Sequence, residues 1–285
     1  MTAAKGTLFV VATPIGNRDD LSPRARQLLS EVDLVAAEDT RHTGTLLRYF
    51  GIEARQMPLH EHNEKDVLAA LIAELEKGSS IALVSDAGTP LVSDPGYRLV
   101  QRAHERGIRV SPVPGPSAAV AALSVAGLPT DAWCFEGFLP SRQKARRDRL
   151  ETLRDEPRTM IFYESVHRIK GSVADLAAAF GASRRAFIGR ELSKLHEQCV
   201  AATLGELQAM IEDGRIPVKG EFVVAVEGSA GRAKAPGIDV DRLLTELLAV
   251  VPGRKAVEIA ASVSGESRNT LYRKMLRISN RGDSK

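Results

Sequence analysis

Four stretches of this chain could bring reactive groups to one place. They are 14–17 (Pro-Ile-Gly-Asn), 38–41 (Glu-Asp-Thr-Arg), 85–90 (Ser-Asp-Ala-Gly-Thr-Pro) and 112–117 (Pro-Val-Pro-Gly-Pro-Ser). Each follows an apolar run that reads as a buried parallel strand, at 7–13, 34–37, 81–84 and 108–110. In an open parallel sheet such loops emerge together on the carboxyl edge, where ligands bind. Gly and Pro let backbone groups approach a ligand with no Cβ in the way. The chemistry that fits is recognition by backbone hydrogen bonds rather than by one charged clamp. The third stretch runs on through Ser93-Asp94-Pro95-Gly96 and exceeds the usual length of a strand-to-helix connection.

The elements that must position these loops follow from periodicity and punctuation. Ser22 and Pro23 start a helix that runs through Glu31, Gly51 stops a second helix, and Asn63 caps a third over 64–77. Helices at 97–107 and 117–126 and a weaker strand at 56–59 complete an alternation that predicts a parallel α/β domain over residues 1–118. Strands at 133–138, 159–163, 186–190, 198–203 and 221–226, with helices at 142–153, 169–180 and 204–212, predict a second, mixed α/β domain over 119–229. A short connection makes the pair 186–190 and 198–203 antiparallel. Residues 229–237 have the composition of a linker. Helices at 239–250, 254–263 and 268–278 then predict a small helix-turn-helix domain within 230–285.

Composition bounds the rest. With 44% hydrophobic and 26% charged residues the chain reads as a globular protein with sizeable cores. No apolar stretch approaches the ~20 residues of a membrane span, and the start lacks a signal-peptide apolar region. Two cysteines, Cys134 and Cys199, point to reduced thiols and a cytoplasmic protein. Dinucleotide, P-loop and nucleophile-elbow fingerprints are absent from the sequence. His60-Glu61-His62 offers too few ligands for a metal site, so no metal is expected. Charge is uneven: residues 231–285 carry eleven Lys/Arg against six Asp/Glu, while the remainder carries 28 against 30. The basic end suits a polyanion, and equally a solvated pair of helices.

The loop residues at 13–17, 38–43, 85–90, 93–96 and 112–118 resemble those of the tetrapyrrole-methylase superfamily. Within it, they resemble the branch that methylates a ribose 2′-hydroxyl of a decoding-centre cytidine in 16S rRNA. Gly137-Phe138-Leu139-Pro140, Phe162–Arg168, Gly189–Lys194 and Lys219–Phe222 extend the resemblance through the second domain, and the helix-turn-helix fits as well. It implies S-adenosylmethionine in a cleft between two α/β domains, a homodimer, and 16S rRNA or the 30S subunit as partner. It also implies cofactor contacts at Pro14, Asp86, Ala87, Gly88, Thr89, Ser117, Ala118 and Tyr163. Asp86 could instead cap local amides, Ser117 could be a helix N-cap, and the Tyr163 ring could be plain core.

A ribose hydroxyl needs a proton acceptor or an orienting group. Asp39 is the first choice, with Glu38 beside it and Arg41 to hold a phosphate; Glu61 and Glu164 are in reserve. Asp39 could equally cap the helix that follows. For RNA, Arg142, Lys144, Arg146, Arg147 and Arg149 place five bases within eight residues, and Arg268, Arg273, Lys274 and Arg277 lie on the last helix. The bland alternatives are a solvated helix for the first group and a dimer or protein contact for the second. Two other functions share the pattern: methylation of a tetrapyrrole carbon, and a DNA-binding regulator whose α/β body senses a ligand.

Overall fold

The computed structural model describes residues 6–60, 62–229 and 239–282, and the side chains of 279–282 are not described. Most of the 229–237 linker, the candidate Glu61 and the end of the chain lie outside the described residues. The chain divides into two compact units, Met1–Ser229 and Ala230–Lys285.

The first unit contains two sheets. In the first, β1 (Thr7–Val11), β2 (Leu34–Ala37), β3 (Gln56–Pro58), β4 (Ile81–Val84) and β5 (Arg109–Val113) are all parallel, in the order β3-β2-β4-β1-β5. β2 and β4 are buried along their whole length, as near-continuous apolar runs require when helices cover both faces. Helices α1 (Pro23–Glu31) and α2 (Thr40–Tyr49) bury Ala25, Leu29 and Leu47 on one face. Helices α3 (Glu64–Glu76) and α4 (Tyr97–Glu105) bury Leu71, Leu75 and Leu99 on the other. Neighbouring β1 and β4 therefore send their following helices to opposite faces, which opens a crevice at their carboxyl ends. Ser22 caps α1 as its sequence suggests. Asn63 does not cap α3 with its side chain; its Oδ1 accepts from the His60 N–H instead, which closes the preceding turn.

Helix α5 (Ala118–Val125) leaves the first sheet and packs on the second, where Ala119, Ala122 and Leu123 meet Ile161, Phe187 and Val223. That sheet has the order β6-β7-β10-β8-β9, from β6 (Trp133–Phe138), β7 (Thr159–Glu164), β8 (Arg185–Arg190), β9 (Gln198–Thr203) and β10 (Phe222–Val226). β6 and β7 are parallel and the other pairs antiparallel, so the sheet is mixed. Helices α6 (Gln143–Thr152), α7 (Ile169–Phe180) and α8 (Leu204–Glu212) cover its far face.

The second unit is a three-helix module: α9 (Val240–Leu248), α10 (Gly253–Ser264) and α11 (Arg268–Gly282). Leu244, Val257, Ala260, Leu271 and Met275 form its core. Gly265, at φ 73°, ends α10, and Ser267 Oγ accepts from the Thr270 N–H to start α11.

Candidate active site

The crevice is built by loops that lock to one another. The Thr13 N–H donates to the Gly88 carbonyl at 2.8 Å and the Gly88 N–H to the Thr13 carbonyl at 3.0 Å. Thr13 Oγ1 also donates to the buried Ser85 carbonyl, and Thr89 Oγ1 to the Pro116 carbonyl. Gly88 sits at φ 84°, where a side chain would strain the backbone. Its polar groups are spent on this clasp, so Gly88 shapes the site and offers no free amide to a ligand.

Between the two sheets lies a cavity of about 1080 Å³ open volume. Asp86, Ala87, Thr89, Ser117, Ala118 and Tyr163 line it, together with Glu38. Ser117 makes no side-chain capping bond, and Tyr163 is half-buried with its hydroxyl accepting the Ala119 N–H at 3.2 Å. Burial pushes that hydroxyl further above its ordinary range. Pro14 does not line this cavity. It lines a smaller one, of about 840 Å³ open volume, on the other side of the same wall, with Arg18, His42 and Lys194. Ile15, Asp86, Ala87 and Glu221 are common to both cavities.

The larger cavity has a consistent electrostatic character. Glu38, Asp86, Asp94, Glu164 and Glu221 line it, and among the described residues no Lys, Arg or His does. Glu164 is buried and held by Arg168 and Ser172. Glu38 Oε2 accepts the Asp86 N–H, and Asp86 Oδ1 accepts the Asp39 N–H, so the ends of β2 and β4 hold each other in register. Asp94 was not singled out by sequence. Burial, then the nearby charges of Glu38 and Asp86, raise its carboxyl to about 6, against a smaller lowering by a hydrogen bond with Ser85. Its loop turns through Leu91 at φ 73° and Ser93 at φ 71°, a conformation that non-glycine residues rarely adopt and that clusters at functional sites. The only sequence signal was the length of the loop and its Ser93-Asp94-Pro95-Gly96 turn.

Three groups of candidate residues are already engaged by partners within the protein. Asp39 is the N-cap of α2: its Oδ1 accepts from the Arg41 N–H and Nε, and its Oδ2 from Arg41 Nη2 at 2.7 Å. These bonds hold its carboxyl far below the usual range, which makes it a poor proton acceptor. Arg41, though highly exposed, is bound to that cap.

The α6 cluster does not present a broad basic front. Arg146 is buried against Asp175, which also takes Arg147; Lys144 pairs with Asp148, and Arg149 with Glu136. Burial tends to raise the Asp175 carboxyl, but the bonds from Arg147 and Arg146 outweigh it and leave it lowered. Arg146→Ala removes one of the two cations on a buried carboxylate and leaves Arg147, so denaturant unfolding should show a loss of about 2 kcal/mol, while the salt dependence of polyanion binding stays as in the wild type. Lys274 is paired with Glu266 at 2.8 Å, whereas Arg268, Arg273 and Arg277 are exposed.

Comparison with known proteins agrees with this architecture. Residues 7–208 match the family of tetrapyrrole (corrin/porphyrin) methylases, and residues 234–279 match the RsmI C-terminal HTH domain. A ribosomal RNA small subunit methyltransferase I from Escherichia coli is 50% identical over 95% of this chain and 94% of its own length. One from Xylella fastidiosa is 51% identical over 94% of this chain and 98% of its own. A uroporphyrin-III-C-methyltransferase from Thermus thermophilus superposes with a TM-score of 0.55 at 19% identity, over 78% of this chain and 94% of that one. A second structure of that enzyme, complexed with S-adenyl homocysteine, gives a TM-score of 0.53 at 18% identity, over 78% of this chain and 97% of that one. At that identity the likeness concerns the fold.

Proposed function

This chain belongs to the tetrapyrrole (corrin/porphyrin) methylase family, and from that premise we propose that it moves a methyl group from S-adenosylmethionine to the ribose 2′-hydroxyl of a cytidine in 16S rRNA. The observation that carries the reading is the acidic cavity between the sheets. A cavity lined by carboxylates and by the Phe138 and Tyr163 rings, with no basic side chain among the described residues, favours a cationic ligand over an anionic one. A sulfonium that also bears an ammonium group is such a ligand. Ser117 and the amino end of α5 suit its carboxylate. Bound there, the cofactor supplies an electrophilic methyl carbon.

The remaining work falls to the protein. The attacking hydroxyl must be in line with the carbon–sulfur bond and must lose its proton. Asp86 and Glu221 are the titratable side chains that face both cavities. Glu221 is exposed and paired with Lys194, whereas Asp86 is partly buried and fixed by the Asp39 N–H. Asp86 is therefore the proton acceptor in this reading, and Glu38 holds its backbone in place. Asp86 would take the proton that the hydroxyl loses as it accepts the methyl group, and S-adenosylmethionine held in the larger cavity would supply that group and its own leaving group. The substrate places the protein in the cytoplasm, and no described helix is long and apolar enough to cross a membrane. A homodimer belongs to the same proposal, as do RNA contacts from Arg142, Arg268 and Arg273.

The decisive assay supplies tritiated S-adenosylmethionine and 30S subunits from a strain lacking the enzyme. The expected result is label on a 2′-O-methylcytidine of 16S rRNA. Label on a base would remove the ribose mechanism, and absence of label in RNA would remove the function.

A further inference from the structure

The smaller cavity differs from its neighbour in having basic groups in its lining beside Asp86 and Glu221. Arg18, His42 and Lys194 line it, and it shares the wall at Asp86 and Ala87. Lys194 is already held by Glu191 and Glu221, each at 3.0 Å, so its charge is largely answered. Arg18 has no ion pair among the described residues. Its guanidinium lies over the Tyr49 ring, 4.5 Å from the centroid.

The helical repeat extends this lining outward. His42, Thr45 and Leu46 face the cavity from α2, and Tyr49 follows on the same face one turn later. Tyr49 is 54% exposed, and Tyr97 and Tyr272 are also more than half exposed, but the Tyr49 ring is set edge-on against Phe50 at 5.0 Å. A cation-stacked aromatic shelf therefore leads away from the wall at which transfer would occur. Exposed aromatic rings with an adjacent arginine are the means by which proteins stack unpaired bases while holding the backbone.

We propose that the smaller cavity is the subsite for the target nucleotide, with Arg18 and His42 facing its phosphates, and that an adjacent unpaired base stacks on Tyr49. The inference rests on the RNA methyltransferase reading and adds the path of the strand. It sets two ligands on the two sides of Asp86: the sulfonium toward Glu38 and Asp94, the polyanion toward Arg18 and His42.

The test uses the full chain, a fluorescent single-stranded oligoribonucleotide containing cytidine, and the 30S methylation assay. Tyr49→Ala and Arg18→Ala should each weaken oligoribonucleotide binding by about tenfold, as loss of one stacked base or its cation predicts. Arg18→Ala should also lower the slope of binding against salt by about one. Tyr49→Phe, which keeps the ring, should bind like the wild type. Calorimetric affinity for S-adenosylmethionine should be the same in all three variants. Wild-type binding by Tyr49→Ala and Arg18→Ala would overturn the inference. So would an equal loss in Tyr49→Phe, or dissociation of a wild-type dimer by these substitutions, which would make the shelf a subunit contact. If the wild type itself leaves no label in 30S RNA, the methyltransferase reading has failed; if it labels RNA and the variants do so equally well, only the strand path has failed.

Discussion

Asp86→Asn should lower the single-turnover rate of methyl transfer by about 10²–10⁴-fold, the usual contribution of a positioned proton acceptor. The substitution changes little else. An asparagine Oδ1 can still accept the Asp39 N–H, and the Glu38 bond goes to the backbone of residue 86, so the loop retains both anchors. Rapid-quench measurement of labelled rRNA, beside calorimetry of cofactor binding, separates the two roles of the residue. A collapsed rate with near-native cofactor affinity identifies proton transfer. An unchanged rate rejects Asp86 as acceptor. Asp39→Asn is the informative contrast, because asparagine is as good an N-cap as aspartate. It should leave the rate close to that of the wild type, since Asp39 is occupied by Arg41 and by the start of α2.

Asp94 should give the second large effect, and its sign differs between binding and stability. Burial above all raises its carboxyl to about 6 in the folded protein, above the 3.8 of a free aspartate. As the pH falls through about 6 the cavity loses a negative charge, so S-adenosylmethionine affinity should fall on that side and level off above it. Asp94→Asn should abolish this dependence and weaken binding at pH 8. Stability runs the other way. A carboxyl whose folded value is raised contributes most below its unfolded value, and that contribution is lost as the pH rises through about 6. At pH 8 the free protein carries the cost of a half-buried charge near Glu38 and Asp86. Removing it in Asp94→Asn should stabilise the ligand-free protein by on the order of 1 kcal/mol, after allowance for solvent screening. Thermal unfolding of wild type and variant at pH 5 and pH 8 checks this, and an advantage confined to pH 5 would refute it. A residue that binds ligand at the expense of the empty fold fits the general trade-off between activity and stability.

Much of this organisation is legible in the sequence. Gly and Pro mark the ends of apolar strands so regularly that the parallel sheet, its loops and their common edge follow from local chemistry. The alternation of Ser22-Pro23 starts and glycine stops places α1 to α4 on the same grounds. What sequence left open depends on long-range geometry. Aspartate beside threonine reads equally as cap or base, and the cap and Arg41 bonds of Asp39 are visible only in the structure. The basic run 142–149 reads as a surface until Asp175 arrives from α7 to bury Arg146. Asp94 escapes notice because Leu91 and Ser93 adopt positive φ, which side-chain propensities argue against. The Arg18–Tyr49 stack joins residues from two elements that no local pattern relates.

The position of β10 has a consequence for the order in which the protein matures on the ribosome. The first sheet is complete once Val113 has been made, whereas β10, the last strand of its sheet in the chain, lies at the centre, hydrogen-bonded to both β7 and β8. Until residues 222–226 emerge, β7 and β8 each carry an open edge suited to mispairing. Glu221, Phe222 and Val223 also line the larger cavity. A nascent chain therefore acquires its first sheet early and its cofactor cavity late, and the closing of that cavity coincides with the sealing of the second sheet. Cofactor binding during synthesis would thus report that the α/β body is whole, before the helical module that follows has been made.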